Sequence, residues 1–155
     1  MADNQSNRIL VKAAEKCAQN GSRLTSKRLL VLELLVKAHR PLSAYELVDR
    51  YNKCSEKPIP PMSAYRILDF LLGQHLVHKL ASENKYIACS HIACDHAHQV
   101  SQFLICRACH KVKEVAIQQD IIARLSKSVN DAGYQLMSSQ LELDCLCQAC
   151  AVKGG

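Results

Sequence analysis

Tryptophan is absent from this 155-residue chain, phenylalanine occurs twice, and aromatic residues make up 5% of the whole. Without large rings the core must be aliphatic and built from small side chains, so a structural metal would be a useful staple. No apolar run reaches about 18 residues, which excludes a transmembrane helix. The N-terminal stretch Met-Ala-Asp-Asn-Gln-Ser-Asn is polar and has no apolar signal core. A cytoplasmic protein with no membrane partner is therefore expected. His-Glu-x-x-His and comparable motifs are missing too, so nothing pairs an open metal position with a general base as a zinc hydrolase requires. With 48% hydrophobic and 22% charged residues, the chain has the make-up of a globular protein rather than a disordered one.

What is present is unevenly placed. Of nine cysteines only Cys17 and Cys54 precede Cys89. In a reducing compartment, short-spaced cysteine pairs are metal ligands more often than disulfides. Residues 1–85 hold 14 Lys and Arg against 8 Asp and Glu, a net +6, whereas residues 86–155 hold 6 against 6. All the excess positive charge lies in the first half, as expected of a surface that meets phosphates. Taken alone, that charge could be a merely solvated face. The coincidence of the two breaks divides the chain into a domain over 1–88, a hinge over 89–101 and a second domain over 102–155.

The first half has the pattern of a winged helix. Ile9, Ala13 and Cys17 sit at helical spacing in residues 8–20, and Gly21 can stop that helix. Thr25 can cap a second helix over 26–38 that is apolar nearly all round and so should be central and buried. Ser43 and Glu46 fit a capping box for a third, running to about Asn52. After a proline-rich turn, Ala64, Ile67, Leu68, Leu71 and Leu72 form one face of a fourth helix, with Ser63 as its cap and Gly73 in a left-handed position at its end. Two strand-like runs, 76–80 and 85–89, then flank a turn at 81–84. In such a domain the fourth helix enters the major groove by its N-terminal end. Arg66 can bond guanine O6 and N7 together, and Tyr65 can pack on a thymine methyl or bond a phosphate. Arg23, Lys27 and Arg28 suit phosphate contacts that position without reading sequence.

The second half carries two C-x-x-C pairs, Cys106/Cys109 and Cys147/Cys150. Four thiolates at about 2.3 Å make a closed tetrahedral zinc site. A redox pair is the rival reading, but two such pairs in one small domain favour metal. Between them, 111–115 reads as a strand, 117–130 as an amphipathic helix with Ile121, Leu125 and Val129 inward, and 134–143 as a returning strand. Cys145 ranks below Cys147 as a ligand by spacing. Around the hinge, His78, Cys89, His91, Cys94, His96 and His98 offer imidazole and thiolate, which suit zinc or another borderline metal. His39, His75 and His110 read as ordinary surface residues. The expected fold class is thus mixed α/β of the α+β kind: a winged helix-turn-helix followed by a small α/β dimerisation domain with a four-cysteine zinc site.

The runs SAYELVD, PMSAYRILDFLLGQHLVHKL and FLICRACHKVKEV, the histidine-rich connector and the terminal C-x-x-C together resemble the bacterial zinc uptake regulators, a branch of the ferric-uptake-regulator superfamily. The resemblance spans about Arg8 to Cys150. It implies a structural zinc on Cys106, Cys109, Cys147 and Cys150, and a regulatory zinc on His78, Cys89, His98 (or His96) and Glu114, making two Zn2+ per chain. It also places Tyr45, Tyr65 and Arg66 at DNA, and Ser63, read from the helix pattern as sharing the exposed face of Tyr65 and Arg66, joins them as a DNA-contact candidate. The connector differs from the family's usual one in length and histidine placement, which leaves the third regulatory ligand open between His98 and His96. A histidine- and aspartate-rich run before the first C-x-x-C, usual in iron regulators, is replaced by Gln99-Val-Ser-Gln-Phe103. The implied protein is a non-enzymatic, bacterial cytoplasmic repressor of zinc-uptake genes. It acts as a homodimer whose second domains pair, on a pseudopalindromic double-stranded operator that takes one dimer or two. A regulator of the same fold sensing iron or peroxide is the alternative, and a protein using zinc only for structure is a further one.

Overall fold

The computed structural model describes residues 2–94 and 101–154. The chain divides into two compact units, Met1–Asp95 and His96–Gly155.

In the first unit, helix α1 (Ala2–Gln19) begins well before the expected position. Its first turns carry no apolar stripe, so periodicity gives no signal there, although Asp3 in the first turn suits the positive helix end. Ala13 and Cys17 are fully buried, and burial pushes the Cys17 thiol up, which marks it as a core residue. Gly21, at φ +71°, turns the chain away. Helix α2 (Ser26–Ala38) is capped by Thr25, whose side chain accepts from the Arg28 N–H. It touches α1 and buries Val31, Leu32 and Leu35. Helix α3 (Ala44–Cys54) opens with the capping box: Ser43 Oγ accepts from Glu46 N at 3.1 Å, and Glu46 Oε2 accepts from Ser43 N at 2.8 Å.

Helix α4 (Pro61–Gly73) differs from expectation at both ends. It starts at Pro61, not at a Ser63 cap, because proline at the first helical position has a suitable φ and lacks only a hydrogen that would be unsatisfied anyway. Ser63 therefore lies within the first turn. At the other end Gly73 is an ordinary helical residue, and the left-handed position falls on His75, at φ 57°. Ala64, Ile67, Leu68 and Leu71 are buried, on a helix that packs against α2 and α3. Strands β1 (Val77–Leu80) and β2 (Lys85–Ala88) pair antiparallel with Val77 opposite Ala88. Leu42, just before α3, adds a third rung to this wing by exchanging backbone hydrogen bonds with Tyr86 at 2.9 and 2.8 Å. Cys89 and Ile92 beyond the wing are buried in the same core.

The second unit is a three-stranded sheet with two helices. Strand β3 (Ser101–Cys106) lies in the middle, antiparallel to β4 (Val112–Ala116). Helix α5 (Gln119–Asp131) makes the crossover to β5 (Leu141–Cys145), which is parallel to β3, and α6 (Gln148–Lys153) follows. The last strand is shorter than the expected 134–143. The buried Gln102 side chain donates to the Ser139 carbonyl at 2.9 Å and accepts from Leu141 N, so the backbone enters the sheet only at Leu141. On α5, Leu125 and Val129 are half-buried but Ile121 is 49% exposed, against the inward position its spacing suggests.

Glu46 ties the wing to the capping box. Its carboxyl is held below the usual carboxylate range chiefly by the Ser43 N–H, with Lys85 and Arg40 adding to the effect. Its contribution is present above the ordinary carboxylate value and is lost as pH falls through the lowered one. Ser43→Ala is expected to cost the first unit about 1 kcal/mol in denaturant unfolding at neutral pH.

Candidate functional site

Sheet geometry brings four thiols of the second unit together. Cys106 ends β3, and a tight turn returns the chain to β4, with His110 N donating to Cys106 O at 2.9 Å and His110 itself at φ 61°. This turn carries Cys109. On the other side, parallel pairing sets Cys145 beside Cys106, so Cys147 lies two residues past the strand and caps α6, which carries Cys150 in its first turn. The sulfurs of Cys106, Cys109, Cys147 and Cys150 lie within 4.8 Å of one another. Cys109 and Cys147 are 3.8 Å apart. That is the edge of a tetrahedron of thiolates about 2.3 Å from a central zinc, so the residues fit the metal.

Local hydrogen bonding prepares the set. Cys147 N donates to Cys106 Sγ at 3.3 Å. With a further N–H from Cys109, this brings the Cys106 thiol down to about 6. Cys147 is lowered by the Cys150 N–H, while Cys150 is pushed up to about 12 by its side-chain hydrogen bonds to Cys147 and Cys109. Cys106 and Cys147 are thus biased toward the thiolate, the form that ligates a metal. Arg107 Nε donates to Asp144 at 2.7 Å, bracing the turn against β5. Cys145 is half-buried and stands outside the four.

The remaining candidates are spread along the chain. His78 on β1 and the buried Cys89 just after β2 bring ligating atoms within 4.8 Å of each other. Cys89 N donates to Leu76 O at 2.9 Å, and Cys89 Sγ accepts from His91 N at 3.4 Å. Glu114, on β4 opposite Phe103, accepts a hydrogen bond from Ser101. His96 and His98 lie outside the described residues.

On the first unit, α4 turns its apolar face to the core and leaves Arg66 exposed, with Tyr65 half-buried and Ser63, in the first turn, exposed only in part. Tyr45, in the first turn of α3, is 68% exposed. Arg23 and Lys27 are surface residues as well. Arg28 has an internal role: its guanidinium lies 3.6 Å from the Phe70 ring centroid and donates to the Arg23 carbonyl at 2.8 Å. Sequence reasoning passes over Met62, which is 64% exposed one position into α4. Its spacing of four from Arg66 is the available signal.

The chain belongs to the Ferric uptake regulator family, whose model matches residues 19–144. Among individual proteins, it is 38% identical over 144 residues to the zinc uptake regulation protein of Escherichia coli K12, covering 92% of this chain and 81% of that one. A zinc uptake regulator complexed with zinc and DNA superposes with a TM-score of 0.82 at 33% identity, over 97% of this chain and 98% of the other. The crystal structure of holo XcZur gives 0.77 at 35% identity, over 92% and 96%. The family is one of transcription regulators.

Cys109 is exposed, so its replacement disturbs packing little. Cys109→Ser is expected to lower the tightly held zinc of the purified chain by one ion and to melt the second unit. Elemental analysis and circular dichroism check this, since zinc binding of about 10 kcal/mol or more is folding energy here. Unchanged zinc content would remove Cys109 from the set.

Proposed function

We propose that the chain is a zinc-responsive transcriptional repressor, acting in the cytoplasm as a homodimer on a pseudopalindromic operator of zinc-uptake genes. The observation that carries the reading is the four-thiol cluster in a chain matched nearly end to end by a zinc uptake regulator complexed with zinc and DNA. The winged helix of the basic first half supports the DNA partner. In the second unit the exposed Ile121, Tyr134, Met137, Leu143 and Leu146 support self-association, because large apolar side chains gain free energy when a partner covers them. The bacterial relatives support a bacterial setting. The number of dimers on an operator, one or two, is left to stoichiometry.

Two zinc ions per chain are proposed. Cys106, Cys109, Cys147 and Cys150 hold the structural one. His78 and Cys89, with Glu114 and His98 (His96 as the alternative), hold the regulatory one. Zinc supplies a redox-inert centre that accepts four ligands of this kind. A cluster closed by four protein ligands leaves no position for a substrate, which suits sensing rather than catalysis. A near-complete response requires the regulatory ligands to grip the ion about 10⁴-fold more tightly in the DNA-competent conformation. By linkage, operator DNA tightens their grip by the same factor. Tyr45, Ser63, Tyr65 and Arg66 are proposed to meet the major groove, and Arg23 and Lys27 the phosphates; Arg28, expected beside them, is instead engaged by the Phe70 ring and the Arg23 carbonyl.

Fluorescence anisotropy on a zinc-importer promoter fragment, across buffered free zinc, tests the reading. Binding should tighten sharply and reversibly with zinc and not with iron or manganese. Cys89→Ser should remove that response while the structural zinc and the melting transition of the second unit persist. A normal response in this variant would take Cys89 out of the regulatory set, and a response to iron or to peroxide would favour the other sensor readings. Arg66→Ala should cost about 1–3 kcal/mol of operator binding and relax the preference at one base pair per half-site. Uniform weakening on every sequence would make Arg66 a phosphate contact instead.

A further inference from the structure

We propose that Met62 reads thymine: its side chain packs against the C5 methyl of a thymine about two base steps from the guanine contacted by Arg66. The inference rests on the DNA reading above and adds a base-specific contact to it. Single exposed apolar residues are common on protein surfaces and mean little alone. Met62 differs in how it is held.

The turn that presents it is stiff. Ile59 is buried at 5% exposure, and the Asn52 side chain clamps its backbone on both sides, accepting from Ile59 N at 2.9 Å and donating to Ile59 O at 3.4 Å. Pro58, Pro60 and Pro61 restrict the chain on either side of that anchor. Pro60 is the N-cap of α4 and Pro61 its first residue, so Met62 leaves the helix in its first turn from a fixed base. The elbow is rigid, yet the side chain it carries is 64% exposed and has found no core to enter.

Its position on the helix is the second reason. Met62 and Arg66 are four residues apart and share one face, with the exposed Asp69 further along and the half-buried Tyr65 beside them. The opposite face, Ala64, Ile67, Leu68 and Leu71, is buried. A rise of about 1.5 Å per residue sets Met62 and Arg66 about 6 Å apart along the axis, or roughly two base steps of 3.4 Å. An α-helix N-terminus is the part that reaches base edges in the major groove. The thymine methyl is the apolar group offered there, and an apolar side chain one helical turn from an arginine can read a T about two steps from the arginine's G. Methionine, unbranched and polarizable, adapts its shape to such a contact better than a branched residue.

The test uses the full zinc-loaded chain and a duplex recovered by selection from a random-sequence library. Each thymine is replaced in turn by uracil, which lacks only the C5 methyl, and binding is followed by anisotropy. For the natural chain one thymine per half-site should be sensitive, weakening binding about fourfold, the worth of one buried methyl group. Met62→Ala should bind the thymine and uracil duplexes equally, with zinc content and melting unchanged, and Met62→Leu should keep most of the discrimination. If no uracil substitution weakens the natural chain, or if Met62→Ala keeps the same sensitivity, the contact is overturned while the DNA reading stands. Failure to recover any specific duplex overturns both.

Discussion

The second unit rests on the convergence of four sulfurs. Among the described residues of that unit only Gln102, Phe103, Ile105 and Cys106 are buried, all on the central strand β3. So few buried groups cannot offset the chain entropy of the whole of His96–Gly155. A metal shared by Cys106, Cys109, Cys147 and Cys150 would cross-link the end of β3, the turn after it and the helix after β5, shortening the free chain and tying the parallel strand to the sheet. The apolar residues left on the surface, Met137 at 90% exposed foremost, make sense if the fold is finished by a second copy.

The first unit solves its problem differently. Its core is aliphatic, built on α2, which touches α1, α3, α4 and β2. Because α2 supplies apolar contact on nearly every side, α4 needs only one buried face, and the other is free to carry Met62, Arg66 and Asp69. Arg28, stacked on Phe70, adds a contact between α2 and α4 to the packing that holds that free face in place. The wing is held to the same frame by Leu42 and by Glu46, which accepts from Ser43 N while facing Lys85. The position of this exposed face is therefore set by packing beneath it rather than by anything on the face itself.

Strong local patterns are legible in the sequence. The helix caps at Thr25 and Ser43, the apolar stripe of α4 and the paired cysteines each act over a few residues, where chemistry is decided by neighbours. Less legible are features that depend on distant partners. The start of α1 has no stripe to read. The third rung of the wing at Leu42 is a single residue, whose pairing with Tyr86 depends on the hairpin folding back. Strand β3 escapes a reading by alternation because the pattern is disturbed by Gln102, a polar residue buried only because it bonds Ser139 and Leu141 across the fold. Histidines 39, 75 and 110 look ordinary, yet each takes a left-handed backbone conformation that ends a helix or a turn.

By itself the sequence determined that there are two dissimilar halves, that one is basic and helical, and that four cysteines in two pairs are spaced to share an ion. Spacing and composition suffice for these because ligation, capping and amphipathicity follow local period. Tertiary structure alone decided that Cys145 stands beside Cys106, that Arg28 is engaged by Phe70, and that Met62 stands in solvent. Each of those depends on register between strands or on which face of a helix is covered, and register and coverage are set by contacts between residues far apart in the chain.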